Sequence, residues 1–148
     1  MHCKSFEYEA VEKEIEKAEE IEERSKSFEN VLVAFIAVEE GDDENVGIKL
    51  IEEIIDNLHE VGAKSLLLYP YSHLSDKLAR SDKAFELIKH MEEHASKLVK
   101  VARAPFGWTK KFKLELMAHP LAERFKHMSK KKLESAQEKE AKEDEEGE

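Results

Sequence analysis

Residues 31–38 read Val-Leu-Val-Ala-Phe-Ile-Ala-Val, an unbroken apolar run. Such a run is typical of a strand that is buried on both faces. After a Gly-Asp-Asp break, apolar residues recur at helical spacing until Gly62, which suits the C-terminal cap of a helix. A second apolar strand follows over residues 65–69 and stops at Pro70. This order predicts a β-α-β unit with parallel strands and a right-handed crossover, and therefore an α/β domain.

The segment after the second strand predicts one more helix and two more extended stretches. Ser81 is placed to cap a helix whose apolar residues recur at helical spacing. These apolar residues are Phe85, Leu87, Ile88, Met91, Ala95 and Leu98. Residues 99–104 then run extended into a turn forced by Pro105 and Gly107, and the alternating residues 111–116 follow. The spacing predicts an antiparallel hairpin across this turn.

The two ends of the chain are rich in Glu and Lys. The alternation over residues 5–12 predicts a strand, and the apolar spacing over residues 14–24 predicts a helix. A further helix is expected to begin at His119. Its apolar residues would be Leu121, Ala122 and Phe125. We expect one domain over residues 1–129, followed over residues 130–148 by a charged tail or linker that is either a solvated helix or disordered.

The composition excludes several classes of protein. With 41% apolar and 39% charged residues, the 148-residue chain is long enough for one globular domain with an ionic surface. No apolar run approaches the roughly 20 residues of a membrane span, and no secretory signal pattern opens the chain, so no membrane contact is expected. The single cysteine, Cys3, excludes an internal disulfide and suits a reducing compartment, so the expected location is cytoplasmic.

Charge is distributed unevenly along the chain. The net charge is −10, which argues against nucleic acid as a partner. Residues 101–130, however, carry seven Lys and Arg against two Glu. A local positive patch on an acidic protein can hold one phosphate-bearing end of a ligand. The alternative interpretation of this segment is a chance fluctuation in charge.

Four ionisable residues are candidates for a site because they fall at predicted ends of strands or helices, where α/β proteins usually build their sites. They are Lys110, His73, His119 and Glu123. Each also has a structural interpretation, the lysine as a solvated charge and the others as capping or first-turn residues. The spacing His90-x-x-Glu93-His94 matches one class of zinc protease, but two solvated histidines on a Glu-rich helix explain it better.

Three separated segments, together with the first apolar run, carry a resemblance to a known family. They are the run 31–39 ending in Glu39, Tyr-Pro-Tyr-Ser-His-Leu-Ser over 69–75, Ala-Pro-Phe-Gly-Trp-Thr-Lys over 104–110, and His-Pro-Leu-Ala-Glu over 119–123. Over roughly residues 2–128 the chain resembles the N-terminal editing domain of archaeal threonyl-tRNA synthetases. That domain is similar in fold to D-aminoacyl-tRNA deacylases, so the resemblance implies a layered α/β deacylase-like domain.

The resemblance implies hydrolysis of L-serine from threonine tRNA that has been mischarged with it. A second, editing site is needed because serine lacks only one methyl group of threonine, and a pocket that binds threonine disfavours the smaller serine by only about 1–3 kcal/mol. The catalytic positions implied are Lys110, His73 and Glu123. The substrate-binding positions implied are Trp108, Thr109, Phe106, Pro105, Ser72, Tyr71, His119 and His2. No metal and no cofactor are implied, whereas a homodimer and a separate or covalently linked synthetase body are.

The chain also departs from the family pattern. Trp108 and Thr109 stand where the family usually has two aromatic residues before the lysine. Only Met1 precedes His2, where the family usually has an apolar first strand, so this strand is expected to be incomplete. Nothing after residue 130 resembles an aminoacylation domain, which leaves an excised domain or a free-standing editor. The alternative functions are a D-aminoacyl-tRNA deacylase and a non-catalytic module that docks tRNA or a synthetase.

Overall fold

The computed structural model describes residues 1–146, which form one mixed five-stranded sheet with three α-helices. The elements are β1 (His2–Lys13), β2 (Ser25–Ile36), α1 (Glu44–Val61), β3 (Ser65–Pro70), α2 (Ser81–Ser96), β4 (Val101–Arg103), β5 (Trp108–Leu116) and α3 (Lys130–Glu146). The strand order across the sheet is β4-β3-β2-β1-β5. The α/β class predicted from the sequence is therefore confirmed.

The predicted β-α-β unit is present as β2-α1-β3. The two strands pair in parallel from Val31 opposite Ser65 onward. The carboxylate of Asp43 accepts a hydrogen bond from the N–H of Val46 at 3.0 Å and so caps the start of α1. Gly62 ends this helix with a φ of 72°, a left-handed conformation that glycine adopts without steric cost.

A second parallel crossover, β3-α2-β4, places α2 beside α1 on the same face of the sheet. Residues such as Ile51 of α1, Met91 of α2 and Leu66 of β3 are fully buried in the core between the helices and this face. Two details of the predicted second helix are wrong. Ser81 is its first residue rather than its cap, and Leu98 is 57% exposed because the helix has already ended at Ser96.

The predicted hairpin across the turn at residues 105–107 is wrong. β4 pairs in parallel with β3 at one edge of the sheet, whereas β5 pairs antiparallel with β1 at the other edge. The turn instead docks on the β1–β2 connection, since the Gly107 carbonyl accepts hydrogen bonds from the N–H groups of Glu14 at 2.8 Å and Ile15 at 3.3 Å. Local alternation predicts a strand but not its partner, and the long β1 offers β5 more pairing than the three-residue β4 does.

The predicted helix over residues 14–24 is also wrong, since this segment is made of turns and irregular backbone. Its backbone groups are used in tertiary contacts instead of a helical ladder. The N–H of Glu19 donates to the Phe106 carbonyl at 3.0 Å, and the Glu19 carbonyl accepts from the indole N–H of Trp108 at 2.7 Å. Tertiary pairing has therefore overridden the helical propensity of a Glu- and Lys-rich segment.

No helix begins at His119 either, and residues 117–129 form turns and irregular backbone. The Ala122 carbonyl accepts a hydrogen bond from the N–H of His2 at 2.8 Å, and this bond places the start of the 117–129 segment alongside β1. Phe125, expected among the apolar residues of that helix, is 78% exposed. Of the two alternatives for the C-terminal segment, residues 130–146 form a helix, and residues 147–148 lie outside the described part of the chain. Within that described part, no helix is long and apolar enough to cross a membrane.

Candidate functional site

Lys110 lies near the start of β5 with its side chain half-buried. Its ammonium group donates hydrogen bonds to the carbonyl of Pro105 at 2.9 Å and to that of Trp108 at 3.1 Å. The Nζ atom also lies 5.0 Å from the centroid of the Tyr69 ring. Burial lowers the pKa of Lys110 from its usual 10.5 to about 8, against the opposing effect of Glu14 and Glu19. The site therefore holds a cation that is partly stripped of water.

A row of aromatic rings connects Lys110 with His73. The ring of Tyr69 lies 6.3 Å from that of Tyr71, and Tyr71 lies 5.2 Å from the imidazole of His73 in an edge-to-face arrangement. A single turn of 3₁₀ helix over Ser72–Leu74 follows β3 and leaves Ser72 and His73 exposed. Lys110 and His73 are thus connected through two tyrosine rings rather than by a direct contact.

Tyr69 is a member of this row that was not among the site residues predicted from the sequence. It lies at the end of β3 and is buried. Burial, with smaller effects from Tyr71 and Tyr8, raises its pKa to about 12, so its hydroxyl stays protonated at neutral pH. Its position directly before Pro70, in the quoted segment 69–75, was the signal that could have identified it.

A cavity of about 370 Å³ adjoins the aromatic row. Tyr71, a member of the row, lines the cavity together with Phe35 and Phe112. The ring centroid of Phe112 lies 5.6 Å from that of Tyr69. Glu39 also lines the cavity, and its carboxylate accepts a hydrogen bond from the Ser75 hydroxyl at 2.6 Å. Hydrogen bonds from Ser75 and from His127 lower the pKa of Glu39. The cavity therefore has largely apolar walls, one carboxylate and two cations, Arg124 and Lys126, in its lining.

Glu123 does not touch Lys110 or His73. It is exposed and lies beyond the C-terminal end of β5, whereas Lys110 lies near its start. Burial lowers the pKa of the Met1 amino group, and the nearby Glu123 is one of the groups that oppose this effect. Since Met1 and the residue before Glu123 both line the cavity, Glu123 lies near its rim rather than beside the lysine.

Glu19 organises the turn that presents Lys110, a role that the sequence did not reveal. Its carboxylate forms two hydrogen bonds with the Arg103 guanidinium, at 2.5 and 2.7 Å, and a third with the Phe106 N–H at 3.1 Å. Burial alone would raise the pKa of Glu19, but these hydrogen bonds outweigh it and lower the pKa. Glu19 is one of many glutamates in its segment, so nothing in the local pattern distinguishes it.

The turn residues implied as substrate-binding have different surroundings. Trp108 is only 7% exposed and packs with Ala10 in a small separate cluster. Phe106 stacks on Phe85 of α2 at 5.0 Å. Pro105 is buried and offers its carbonyl to Lys110, while Thr109 is exposed. In this arrangement the backbone of the turn, rather than its rings, is directed at Lys110.

His2 and His119 contact each other, away from the aromatic row. The Nδ1 atom of His2 lies 2.8 Å from the Nε2 atom of His119, and Nε2 of His2 lies 2.7 Å from the side-chain oxygen of Asn30. His2 is only 4% exposed. Both of its ring nitrogens are therefore engaged within the protein.

The positive segment 101–130 is largely neutralised by carboxylates. Five of its seven cations form ion pairs. They are Arg103, Lys111, Arg124, Lys126 and Lys130. Lys110 and Lys113 form none within the residues the structure describes. The segment is therefore a weaker anion-binding surface than its net charge implies.

The histidines with zinc-protease spacing face acidic residues of the neighbouring helix. His90 lies 2.9 Å from Glu44, and His94 lies 3.6 Å from Glu52. Across the described residues, no group of three or more His, Cys, Asp or Glu side chains is arranged to hold a metal ion.

Fold and site together define a small α/β domain in which a partly desolvated lysine and an exposed histidine flank a tyrosine row next to a cavity. The sequence profile of the archaea-specific editing domain of threonyl-tRNA synthetase matches residues 1–128. The chain belongs to this family of editing domains, as its resemblance had indicated.

Curated relatives agree with this assignment. The chain is 46% identical to a threonine–tRNA ligase of Nitrosopumilus maritimus over 131 residues, which cover 88% of the chain and 21% of that protein. It is 44% identical to the corresponding ligase of Staphylothermus marinus, covering 83% of the chain and 21% of the ligase. It is also 39% identical to a threonine–tRNA ligase editing subunit of Saccharolobus solfataricus, covering 93% of the chain and 36% of the subunit. The chain thus spans about a fifth to a third of these relatives.

Proposed function

We propose that this domain hydrolyses the ester of L-serine on mischarged threonine tRNA, with Lys110, His73 and Glu123 at the site. The observation that carries the proposal is the partly desolvated ammonium of Lys110 in a chain of the editing-domain family. An ammonium has three N–H donors, and two of those on Lys110 are held by the turn carbonyls. The third remains for an oxygen atom of a ligand.

In the proposed reaction, water attacks the carbonyl carbon of the seryl ester and the bond to the ribose oxygen breaks. The ribose oxygen takes up a proton, and the products are serine and free tRNA. Negative charge develops on the carbonyl oxygen, and a fixed cation in a water-poor site stabilises such charge far better than one in bulk water. Because this role needs the protonated lysine, hydrolysis is expected to fall as the pH rises through about 8.

The aromatic row and the cavity supply binding in this proposal. Tyr71 and the exposed Ser72 and His73 would contact the terminal adenosine and the seryl group, with the Tyr71 ring available for stacking on the base. Glu123, at the rim of the cavity and away from Lys110, would shape the pocket and help to position the terminal adenosine. A pocket fitted to serine excludes threonine by steric conflict with its extra methyl group. This is the reverse of the selection at an aminoacylation site, which must accept threonine and reject serine.

The partners in the proposal are the 3′ end of threonine tRNA, a synthetase body that is separate or covalently linked, and a second copy of the domain. Most cations of the 101–130 segment are already paired, so the synthetase body would supply most contacts to the tRNA phosphates. The second copy is proposed on the family resemblance alone, since Phe112, 40% exposed, lines the cavity that would hold the substrate. The location we propose is cytoplasmic, where translation takes place.

The test compares the release of amino acid from L-seryl-, L-threonyl- and D-aminoacyl-tRNA specific for threonine. We expect release of L-serine to be fastest and to be lost in the Lys110→Met variant. Lys113→Met is the matched control, because Lys113 is exposed on the same strand and should leave the rate unchanged. Faster release from D-aminoacyl esters would show the alternative deacylase, and tight tRNA binding without any release would show a docking module.

A further inference from the structure

We propose that Glu39 is a positioning residue for the hydrolysis, because its carboxylate ties the turn that carries His73 to the segment that carries Glu123. Glu39 acts on these two residues through Ser75 and His127. The effect on activity rests on the function proposed above, whereas the tie between the two segments can be measured without it.

The two carboxylate oxygens of Glu39 are used by different parts of the chain. Oε2 accepts a hydrogen bond from the Ser75 hydroxyl at 2.6 Å, and Oε1 lies 2.8 Å from Nε2 of His127. Glu39 follows β2, Ser75 follows the 3₁₀ turn after β3, and His127 lies in the irregular segment before α3. One carboxylate therefore joins two segments that are 36 and 88 residues away from it in the sequence.

The bond to Ser75 holds the turn that carries His73. His73 is the middle residue of the 3₁₀ turn Ser72–Leu74, and the N–H of Ser75 closes this turn on the Ser72 carbonyl at 3.3 Å. The Ser75 hydroxyl also accepts a hydrogen bond from the N–H of Lys77 at 3.0 Å, so its single proton is directed to Glu39. The carboxylate therefore fixes Ser75, and Ser75 fixes the end of the turn.

The contact with His127 holds the segment that carries Glu123. Residues 117–129 form turns and irregular backbone, so their position depends on individual contacts. The Ala122 carbonyl accepts a hydrogen bond from the N–H of His2 at 2.8 Å. Five residues further along the chain, His127 meets Glu39. Glu123 lies between these two anchor points, so the contact of His127 limits how far it can move.

Other contacts hold the same segment without connecting it to the His73 turn. Arg124 pairs with Glu60 at 3.1 Å and Lys126 pairs with Glu53 at 3.9 Å, and both carboxylates belong to α1. Among the described residues, Glu39 is the carboxylate whose hydrogen bonds reach both segments. Its loss should therefore leave each segment attached to the domain while removing the constraint on their separation.

The carboxylate suits this role because it is ionised and its backbone is held in place. The hydrogen bonds from Ser75 and His127 lower its pKa, so both oxygens are acceptors at neutral pH. Hydrogen bonds to an ionised group are shorter and stronger than those between neutral groups. The N–H of Glu39 donates to the Asp42 carboxylate at 2.9 Å, and Glu39 forms a β-bridge with Leu78. A change of the side chain should thus leave the local backbone intact.

The Glu39→Ala variant tests the effect on the reaction. We expect kcat for serine release to fall about tenfold and KM to change less than about threefold, because misplaced groups slow the chemical step more than they weaken binding. Glu39→Gln should lower kcat less than about threefold, since its amide oxygen can still accept from Ser75 and its NH₂ group can donate to an unprotonated Nε2 of His127.

Glu40→Ala is the matched control, because Glu40 is the adjacent acidic residue and is exposed. It should leave both kinetic constants unchanged. All three variants should melt within about 5 °C of the wild type, since the backbone contacts remain. An equal effect of Glu39→Ala and Glu40→Ala on kcat, or a loss confined to KM, would overturn the inference.

Combined substitutions distinguish positioning through Glu39 from independent effects. Ser75→Ala and His127→Ala should each lower kcat about threefold or more in the wild-type chain. In a chain that already carries Glu39→Ala, each should lower kcat by less than about twofold more, because the shared partner is gone. Equal losses in both backgrounds would contradict action through Glu39.

Backbone amide signals of the isotope-labelled chain test the tie without any activity. His127→Ala should shift the signals of residues 72–75, and the same substitution should leave them unmoved in a chain that already carries Glu39→Ala. Unchanged signals of residues 72–75 in the His127→Ala variant would overturn the tie. Absence of serine release from the wild type would refute the proposed function, and these signals would still decide whether Glu39 joins the two segments.

Discussion

Replacing Lys110 with methionine keeps the length of the side chain and removes its charge. In the folded protein, burial lowers the pKa of Lys110 to about 8, whereas in the unfolded chain it titrates near 10.5. Between these two pH values the folded protein has released the proton and the unfolded chain still holds it. Raising the pH across this window therefore stabilises the wild type, because the unfolded state binds more protons.

The size of the effect follows from the shift. A shift from 10.5 to about 8 corresponds in full to about 3 kcal/mol. Lys110 is only half-buried, so solvent screening reduces this to about 1–2 kcal/mol. At pH 7 the Lys110→Met variant no longer bears this desolvation cost, but it also loses the two hydrogen bonds from the ammonium group to the turn carbonyls, which contribute a similar amount. Its free energy of unfolding should therefore lie within about 1 kcal/mol of that of the wild type.

Urea unfolding at several pH values between 7 and 10 measures the effect. The free energy of unfolding of the wild type should rise relative to the Lys110→Met variant by about 1–2 kcal/mol between pH 8 and pH 10. The Lys113→Met variant removes an exposed lysine of the same strand and is the control for the loss of one lysine. A difference between the wild type and Lys110→Met that stays constant from pH 7 to pH 10 would refute the desolvation of Lys110, and with it the electrostatic role assigned to this residue.

Three further substitutions, two of them with a matched control, test the framework of the fold. Gly107→Ala should lower the melting temperature, at a cost of about 1–3 kcal/mol, because φ is +81° and a Cβ would meet a neighbouring side-chain carbon at 2.8 Å. Gly41→Ala, at a φ of +85° with nothing within 4 Å, should cost less. Glu19→Gln should destabilise the protein at pH 7 in urea unfolding, and the difference from wild type should shrink as the pH falls through the lowered pKa of Glu19, where its carboxylate is protonated. Met91→Ala should cost about 2–5 kcal/mol in the same assay, whereas Leu98→Ala, at 57% exposure, should cost little.

The parts of the fold that the sequence predicted are those decided by local periodicity. The apolar run at 31–38, the helical spacing up to Gly62 and the strand before Pro70 each carry their own signal, and a parallel β-α-β unit follows from their order. The partner of β5 carries no such signal. Alternation in residues 111–116 is equally compatible with β4 and β1, and the choice depends on contacts between segments far apart in the sequence.

The same limit applies to the site. His73 and Lys110 could be selected because they follow strand-like runs and distinctive turn residues. Glu19 could not, since its role arises only when Arg103 and the turn dock on a segment that looks helical by composition. The contact between His2 and His119 joins positions 117 residues apart, which no single-sequence pattern encodes.

The most direct test of the account uses a seryl-adenosine analogue whose ester is replaced by a stable amide. Its binding can be followed through the backbone amide signals of the isotope-labelled chain. We predict that the signals of residues 69–73 and of Lys110 shift together on titration, and that the Lys110→Met variant binds the analogue more weakly. Shifts confined to the surface of α1 and α2, with residues 69–73 and Lys110 unaffected, would contradict the placement of the site.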